Sequence, residues 1–203
     1  SNPLEGTWKL SPLPGAIGVG PNQGDISWWS NNAADVTSRA CLFDDSISFD
    51  ANGNFTHYMD GSTWLETWQG VSSEQCGVPV APHAGGSFTY TYSGTQLTVT
   101  GSGAHIGLAK ATNQGELSAG NPPAVPSSRT YEISFGTNGE MIADINFGGG
   151  WWRSVYVLAG NPPPPTYNVT LTVNTANITV GPNGMYAGGG FLGGSNALQL
   201  TDA

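Results

Sequence analysis

The chain of 203 residues contains only 9% charged residues and has a formal net charge of −9. Its five basic residues are too few to neutralise a row of phosphates, which excludes nucleic acid as a partner and disfavours an anionic membrane surface. Hydrophobic residues make up 38%, so a folded core is expected. The sequence has no apolar run of about 18 residues, and we predict no insertion into a membrane.

Short alternating runs bounded by turn residues predict antiparallel strands along the first part of the chain. In chain order they cover residues 7–10, the hairpins 46–49 with 54–58, 88–92 with 96–100 and 129–135 with 141–147, and the run 151–158. Residues 63–70 fit a short helix or a strand, and both place Trp64 and Trp68 on one face. Strands at this spacing predict an all-β fold, an antiparallel β-sandwich first and a closed β-barrel as the alternative.

The domain organisation follows from one proline-rich segment. Residues 1–160 form the predicted β-sandwich module, and residues 161–166 form a semi-rigid linker. Residues 167–203 begin a second β module, with strands predicted at 167–173 and 185–191. So short a segment cannot build its own core, so we expect this module to be truncated within a longer modular protein.

Two pairs of adjacent tryptophans raise a question of function. Successive side chains of a strand point to opposite faces, so each pair should bury one ring and present the other. Polar residues flank the first pair, whereas both faces of the strand after the second are apolar, which leaves the exposed member open. Exposed indole rings suit stacking on sugar rings, and the alternative is that all the tryptophans belong to the core or cover loops. The predicted platform comprises Trp28, Trp29, Trp64, Trp68, Trp151 and Trp152, and the predicted hydroxyl-binding residues are Asp25, Asn32, Asp44, Glu66 and Arg153.

Signals for catalysis or for a metal are weak. Glycoside hydrolysis needs two facing carboxylates, for which Glu66 and an aspartate are candidates, but no paired-carboxylate motif is present. The pair Asp44-Asp45 is not part of a complete calcium loop, and we predict no metal and no cofactor. Cys41 and Cys76 lack metal-type spacing, which favours a disulfide and a location outside the cytoplasm.

Six stretches together resemble a carbohydrate-binding module of polysaccharide-utilisation proteins of Bacteroidota. They are LEGTWKLSPLPGAIGVGP (4–21), GDISWWSN (24–31), RACLFDD (39–45), TWLETWQG (63–70), CGVPVAPH (76–83) and GGGWWR (148–153). The resemblance implies a surface glycan-binding protein that binds laminarin-type β-1,3-glucan without cleaving it. It also implies an exported protein, extracellular or on the outer-membrane surface, with or without a lipid anchor. Residues 167–203 resemble the start of a starch-binding-like module, while the motif L-x-G-T-W also resembles lipocalin-like barrels.

Three functional hypotheses therefore stand before the structure. The first is non-catalytic binding of a neutral polysaccharide through the exposed tryptophans, with further modules of the same chain as partners. The second is an endo-acting glycoside hydrolase that uses Glu66 and an aspartate. The third is a structural spacer or adhesion module without a ligand.

Overall fold

The computed structural model describes residues 2–119, 124–160, 176–177, 179–187 and 198–200. The chain divides into two compact units, Ser1–Pro165 and Thr166–Ala203. In the first unit the strands are β1 Gly6–Leu10, β2 Ile17–Gly20, β3 Trp29–Ser30, β4 Ser46–Phe49, β5 Asn54–Tyr58, β6 Thr63–Leu65, β7 Gln75–Gly77, β8 Gly86–Tyr92, β9 Gln96–Thr100, β10 Ala111–Thr112, β11 Gly115–Glu116, β12 Ser128–Phe135, β13 Met141–Asn146 and β14 Trp151–Leu158. The described residues of this unit also form two short helices, α1 Ala33–Ser38 and α2 Ala40–Phe43, and a 3-10 turn at Thr67–Gln69.

Eight strands of the first unit form a closed antiparallel barrel in the order β1, β4, β5, β8, β9, β12, β13, β14. Closure comes from β14 pairing back on β1, with Trp8 opposite Leu158 and Leu10 opposite Tyr156. The all-β prediction is confirmed, and the structure has the closed barrel given as the alternative rather than the β-sandwich expected first. Closure satisfies the backbone groups that a sandwich would leave at its sheet edges.

Alternation along the strands fills the barrel with side chains. In β9, Leu97 and Val99 are fully buried and their neighbours face outward, and in β12 Tyr131 and Ile133 do the same. This period of two is the reason that the predicted hairpins are confirmed with bounds within two residues of those expected. Residues 63–70 form β6 followed by the 3-10 turn, so each of the two readings describes part of the segment.

The two ends of the barrel differ in their connections. At one end lie the tight turns at residues 50–53, 93–95 and 136–140. At the other end, which we call the loop end, lie the connections 59–85, 101–127 and 147–150 and the insertion that holds β2, β3, α1 and α2. Strand β2 continues the line of β1 along β14, with Ile17 opposite Ser154 and Gly20 opposite Trp151. The sequence therefore gathers its long segments over one mouth of the barrel.

One of these segments enters the mouth and closes it. The backbone N–H of Ile106 donates to the Tyr131 hydroxyl at 2.9 Å, and that of Gly107 donates to the Tyr156 hydroxyl at 2.9 Å. Gly107 has a φ of +70°, and a Cβ there would overlap the Ser154 hydroxyl. A glycine is therefore required where the segment lies against the barrel wall.

A disulfide joins Cys41 of α2 to Cys76 of β7, with a Cα–Cα distance of 5.9 Å. In the second unit, β15 Met185–Ala187 pairs antiparallel with β16 Leu198–Leu200. The predicted linker 161–166, the predicted strand 167–173 and residues 188–191 of the last predicted strand lie outside the described residues. In the described parts of the chain, no helix has the length and apolar character needed to cross a bilayer.

Candidate functional site

A cleft of about 510 Å³ opens at the loop end of the barrel. Its floor consists of buried apolar side chains, whereas Trp28 and Glu74 stand exposed at its rim. The size falls within the range of about 300–1,000 Å³ that is typical of small-molecule sites. We call it the loop-end cleft; its lining residues are Val19, Trp28, Trp29, Arg39, Glu66, Glu74, Leu108, Lys110, Glu116, Phe147 and Trp152.

Three indole rings give the cleft its aromatic wall. The Trp28 side chain is 56% exposed, and its ring lies so close to Gly150 that a Cβ there would be 2.7 Å away. Trp29 pairs through β3 with Val19, and its ring centroid is 6.2 Å from that of Trp152. Trp152 points into the barrel mouth and is 7% exposed. The wall thus runs from a solvent-facing ring at the rim to a buried ring at the floor.

Arg39 also lines the cleft, at the junction of α1 and α2. Its guanidinium carbon lies 5.0 Å from the Trp29 ring centroid and 4.5 Å from that of Trp64, so the cation is held between two indole faces. The guanidinium also lies 3.7 Å from the Glu74 carboxylate. Two aromatic faces and one carboxylate fix the position of a side chain that would otherwise be flexible.

A second set of charged groups lies near the floor. The Lys110 ammonium is 2.9 Å from the Glu66 carboxylate and 4.8 Å from the Trp152 ring centroid. Glu66 also accepts a hydrogen bond from the Trp68 indole N–H at 2.9 Å. The Trp152 indole N–H donates to Glu116 at 2.6 Å. Indole N–H groups thus orient two carboxylates.

These charges largely compensate one another. Arg39 pairs with Glu74 and Lys110 pairs with Glu66, which leaves Glu116 with an indole N–H as its hydrogen-bond donor. A cleft of this kind presents donors and acceptors without a strong field of either sign. It is suited to an uncharged ligand with many hydroxyl groups.

A buried polar cluster lies beneath the cleft. The ring centroid of His105 is 4.7 Å from that of His57 and 5.6 Å from that of His83, and Arg129 donates from Nη2 to His83 Nε2 at 3.0 Å. Burial lowers the pKa of His57 and of His83 to about 4 and holds the pKa of His105 well below 6.5. All three rings are therefore neutral at pH 7. Burial also lowers the pKa of the Arg129 guanidinium.

Four of the residues predicted from sequence line the cleft: Trp28, Trp29, Glu66 and Trp152. Two more support it from behind. Trp64 lies under Arg39, whereas Trp68 holds Glu66 and packs edge-on against His83 at 5.4 Å. The sequence predicts that Trp64 and Trp68 share one face. In the structure the two rings have different neighbours, because β6 ends between them.

Five predicted residues do not line the cleft. Trp151 lies half-buried on the outer face, opposite in direction to Trp152. Arg153, also on the outer face, pairs with Asp144 at 2.8 Å, where the hydrogen bond raises the pKa of the guanidinium. The other three have local roles: Asp25 accepts from Ser27 N, Asn32 caps α1, and Asp44 follows α2. Polar side chains near the tryptophans in sequence are here used to shape turns and helix ends.

Several cleft residues were not predicted from sequence: Arg39, Glu74, Lys110, Glu116 and Phe147. Arg39, Glu74 and Lys110 lie outside the strands, Glu116 lies in the two-residue strand β11, and Phe147 directly follows β13, so the fold brings them together. One signal was available for Lys110. It is one of only five basic residues in the chain and stands in a long irregular segment, and functional residues lie disproportionately on such connections.

Comparison with known proteins places the chain in no family. No protein-family model matches it, and no curated protein matches it at a significant level. Within the residues that the structure describes, no group of three or more His, Cys, Asp or Glu side chains could hold a metal ion.

Proposed function

We propose that the barrel binds a neutral polysaccharide in the loop-end cleft and does not cleave it. The observation that carries this proposal is the meeting of three indole rings, of Trp28, Trp29 and Trp152, with oriented and largely paired charges in one cavity of about 510 Å³. Sugar rings present apolar C–H faces and a rim of hydroxyls. Flat apolar walls and fixed donors and acceptors match both features.

The proposal gives each lining residue a role that its contacts support. A sugar ring stacks on Trp28, and the next ring inward lies along Trp29. The hydroxyls of this inner sugar donate hydrogen bonds to the carboxylates of Glu116 and Glu66 and accept one from the Lys110 ammonium. Because one partner of each bond is charged, these hydrogen bonds are stronger than neutral ones. Stacking contributes about 1–3 kcal/mol per ring by analogy with stacked bases. Association costs several kcal/mol, so we expect a dissociation constant between micromolar and millimolar for one module. Linked modules that bind the same polymer would raise the overall avidity.

For the glycan itself, laminarin-type β-1,3-glucan is the first candidate. This choice rests on the resemblance of the six sequence stretches to glycan-binding modules of that kind. The Cys41–Cys76 disulfide suits an oxidising compartment, which supports an extracellular or surface location.

The local environment of Glu66 favours binding over hydrolysis. Its carboxylate is held by Lys110 and by the Trp68 indole N–H, and no aspartate among the described residues lines the cleft. Asp45, one candidate partner, is buried against Thr63 at 2.6 Å, and Asp144 is paired with Arg153. One observation supports hydrolysis as a second candidate, since Glu66 and Glu116 share the same cleft.

Affinity electrophoresis tests the proposal directly. The purified protein runs through gels that contain laminarin or another neutral or acidic glycan, and we expect laminarin to retard it. Trp28→Ala should reduce the retardation at an unchanged melting temperature, because that ring is exposed. Phe135→Ala is the matched control, since Phe135 is 40% exposed in β12 beside a tight turn at the opposite end of the barrel.

Two results would replace the proposal. If no glycan of the panel retards the protein, the barrel is a spacer or adhesion module. If incubation with laminarin releases reducing ends, and Glu116→Gln abolishes the release, the cleft is a hydrolase site.

A further inference from the structure

We infer that the loop-end cleft holds the terminus of a glycan chain rather than an internal stretch of it. This inference rests on the proposed function and adds to it the part of the polymer that is recognised. The argument uses the origin of the lining residues, the depth of the cleft and the place of its polar groups.

Segments from all four connections at the loop end of the barrel line the cleft. β2 and β3 supply Val19 and Trp29, and the junction of α1 and α2 supplies Arg39. The connections between β5 and β8, between β9 and β12, and between β13 and β14 contribute the remaining sides, with Glu66 and Glu74, with Lys110 and Glu116, and with Phe147. A site that runs along a chain needs two openings in line. A bowl walled by successive connections of a closed barrel has its opening at the rim.

Side-chain exposure gives the bowl its depth. Val19, Leu108 and Trp152 at the floor are 9%, 6% and 7% exposed, against 56% for Trp28 at the rim. The Glu66 side chain near the floor is 8% exposed, whereas that of Glu74 at the rim is 48% exposed. One of the proposed hydroxyl-binding groups, the Glu66 carboxylate, therefore lies deep in the cleft, where a sugar with a neighbour on one side only can reach it.

Calorimetric titration with linear β-1,3-gluco-oligosaccharides of increasing length tests the inference. End recognition predicts one protein per chain at every length, and an affinity that stops rising once the cleft is filled. Internal recognition predicts that long chains bind several proteins, with a stoichiometry that scales with sugar mass. The second result would overturn the inference.

A cyclic β-1,3/1,6-glucan, which has no terminus, provides the sharper comparison. We expect the cyclic glucan to bind at least tenfold more weakly than a linear oligosaccharide of similar length. Equal binding of the cyclic and linear glucans would overturn the inference and leave the proposed function intact. Failure of every linear oligosaccharide and of laminarin to bind would contradict the proposed function itself, so the two failures are distinguishable.

Discussion

At the scale of single residues, the Lys110–Glu66 pair contributes both to stability and to the proposed binding of glycan. Lys110→Met removes the cation 2.9 Å from a carboxylate that is 8% exposed. Breaking a fully buried pair costs about 3–5 kcal/mol, and the partial exposure of Lys110 reduces the expected loss of unfolding free energy to about 1–3 kcal/mol. Urea unfolding measures the loss, and affinity electrophoresis should show weaker retention by laminarin.

The matched control is the double variant Lys110→Met with Glu66→Gln. It removes both charges and keeps an acceptor for the Trp68 indole N–H, so it should recover part of the lost stability. If the two single substitutions add without coupling, the ion pair does not stabilise the cleft.

The tryptophan pairs show at the same scale what a strand pattern can decide. Opposite faces are confirmed for Trp151 and Trp152, but only the pairing of β14 with β2 and β13 shows that Trp152 faces the barrel mouth. Both faces of β14 are apolar in sequence, and the outer one is half-buried. The alternation of side chains along a strand therefore predicts that the two rings point to opposite faces. Which of the two faces is the inner one depends on the tertiary structure.

At the scale of elements, the segment that closes the barrel mouth depends on Gly107. Gly107→Ala places a Cβ against Ser154 at a φ of +70°, which costs at least about 1–3 kcal/mol. Because Lys110 follows three residues later, binding of laminarin should weaken together with the melting temperature. Gly61→Ala is the control, since a Cβ at Gly61 meets nothing within 4 Å, and it should change stability by less than about 1 kcal/mol. Equal melting temperatures for the two variants would contradict the role of Gly107.

The disulfide is the second element-scale constraint on the cleft. Arg39 and Glu74 each stand two residues before a bridged cysteine, so the Cys41–Cys76 bond holds together the segments that supply this ion pair. A crosslink over 35 residues contributes about 4 kcal/mol in the chain-entropy model. The variant Cys41→Ser with Cys76→Ser should lose about that much stability, as measured by urea unfolding, and should bind laminarin more weakly. Full retention of binding after the bond is removed would show that the cleft does not depend on it.

The elements also show why the hairpins were predictable and the cleft was not. In a strand of five to eight residues with one buried face, apolar residues recur at every second position, so the sequence itself shows the strand. Leu97 and Val99 in β9 are an example. Elements of two to four residues such as β3, β7 and α2 are too short for any period. The closure of β14 on β1 joins residues almost 150 positions apart, which no local pattern records. Glu66 and Trp29 were predictable by chemistry, whereas Glu116 needed the topology.

At the scale of the whole molecule, three buried imidazoles make stability depend on pH. His57 and His83 have a folded-state pKa of about 4 and His105 lies well below 6.5, in each case chiefly because burial disfavours the charged ring. Above pH 6.5 these rings are neutral in both the folded and the unfolded chain, so they add no pH dependence. As the pH falls from 6.5 toward 4, the unfolded chain takes up protons that the folded chain does not, and stability decreases.

Asp45 acts in the opposite direction, because burial raises its pKa from 3.8 to about 7. Between these values the folded chain holds a proton that the unfolded chain has lost, so this group adds stability as the pH falls from 7. Because three histidines lower stability on acidification and one aspartate raises it, urea unfolding should show a net decrease in the free energy of unfolding from pH 6.5 to 4.5. Asp45→Asn removes the opposing group and keeps an acceptor for Thr63, so the same titration should become steeper. A stability that stays constant over that range in Asp45→Asn would mean that the three rings titrate alike in both states, and that the cluster under the cleft is open to water.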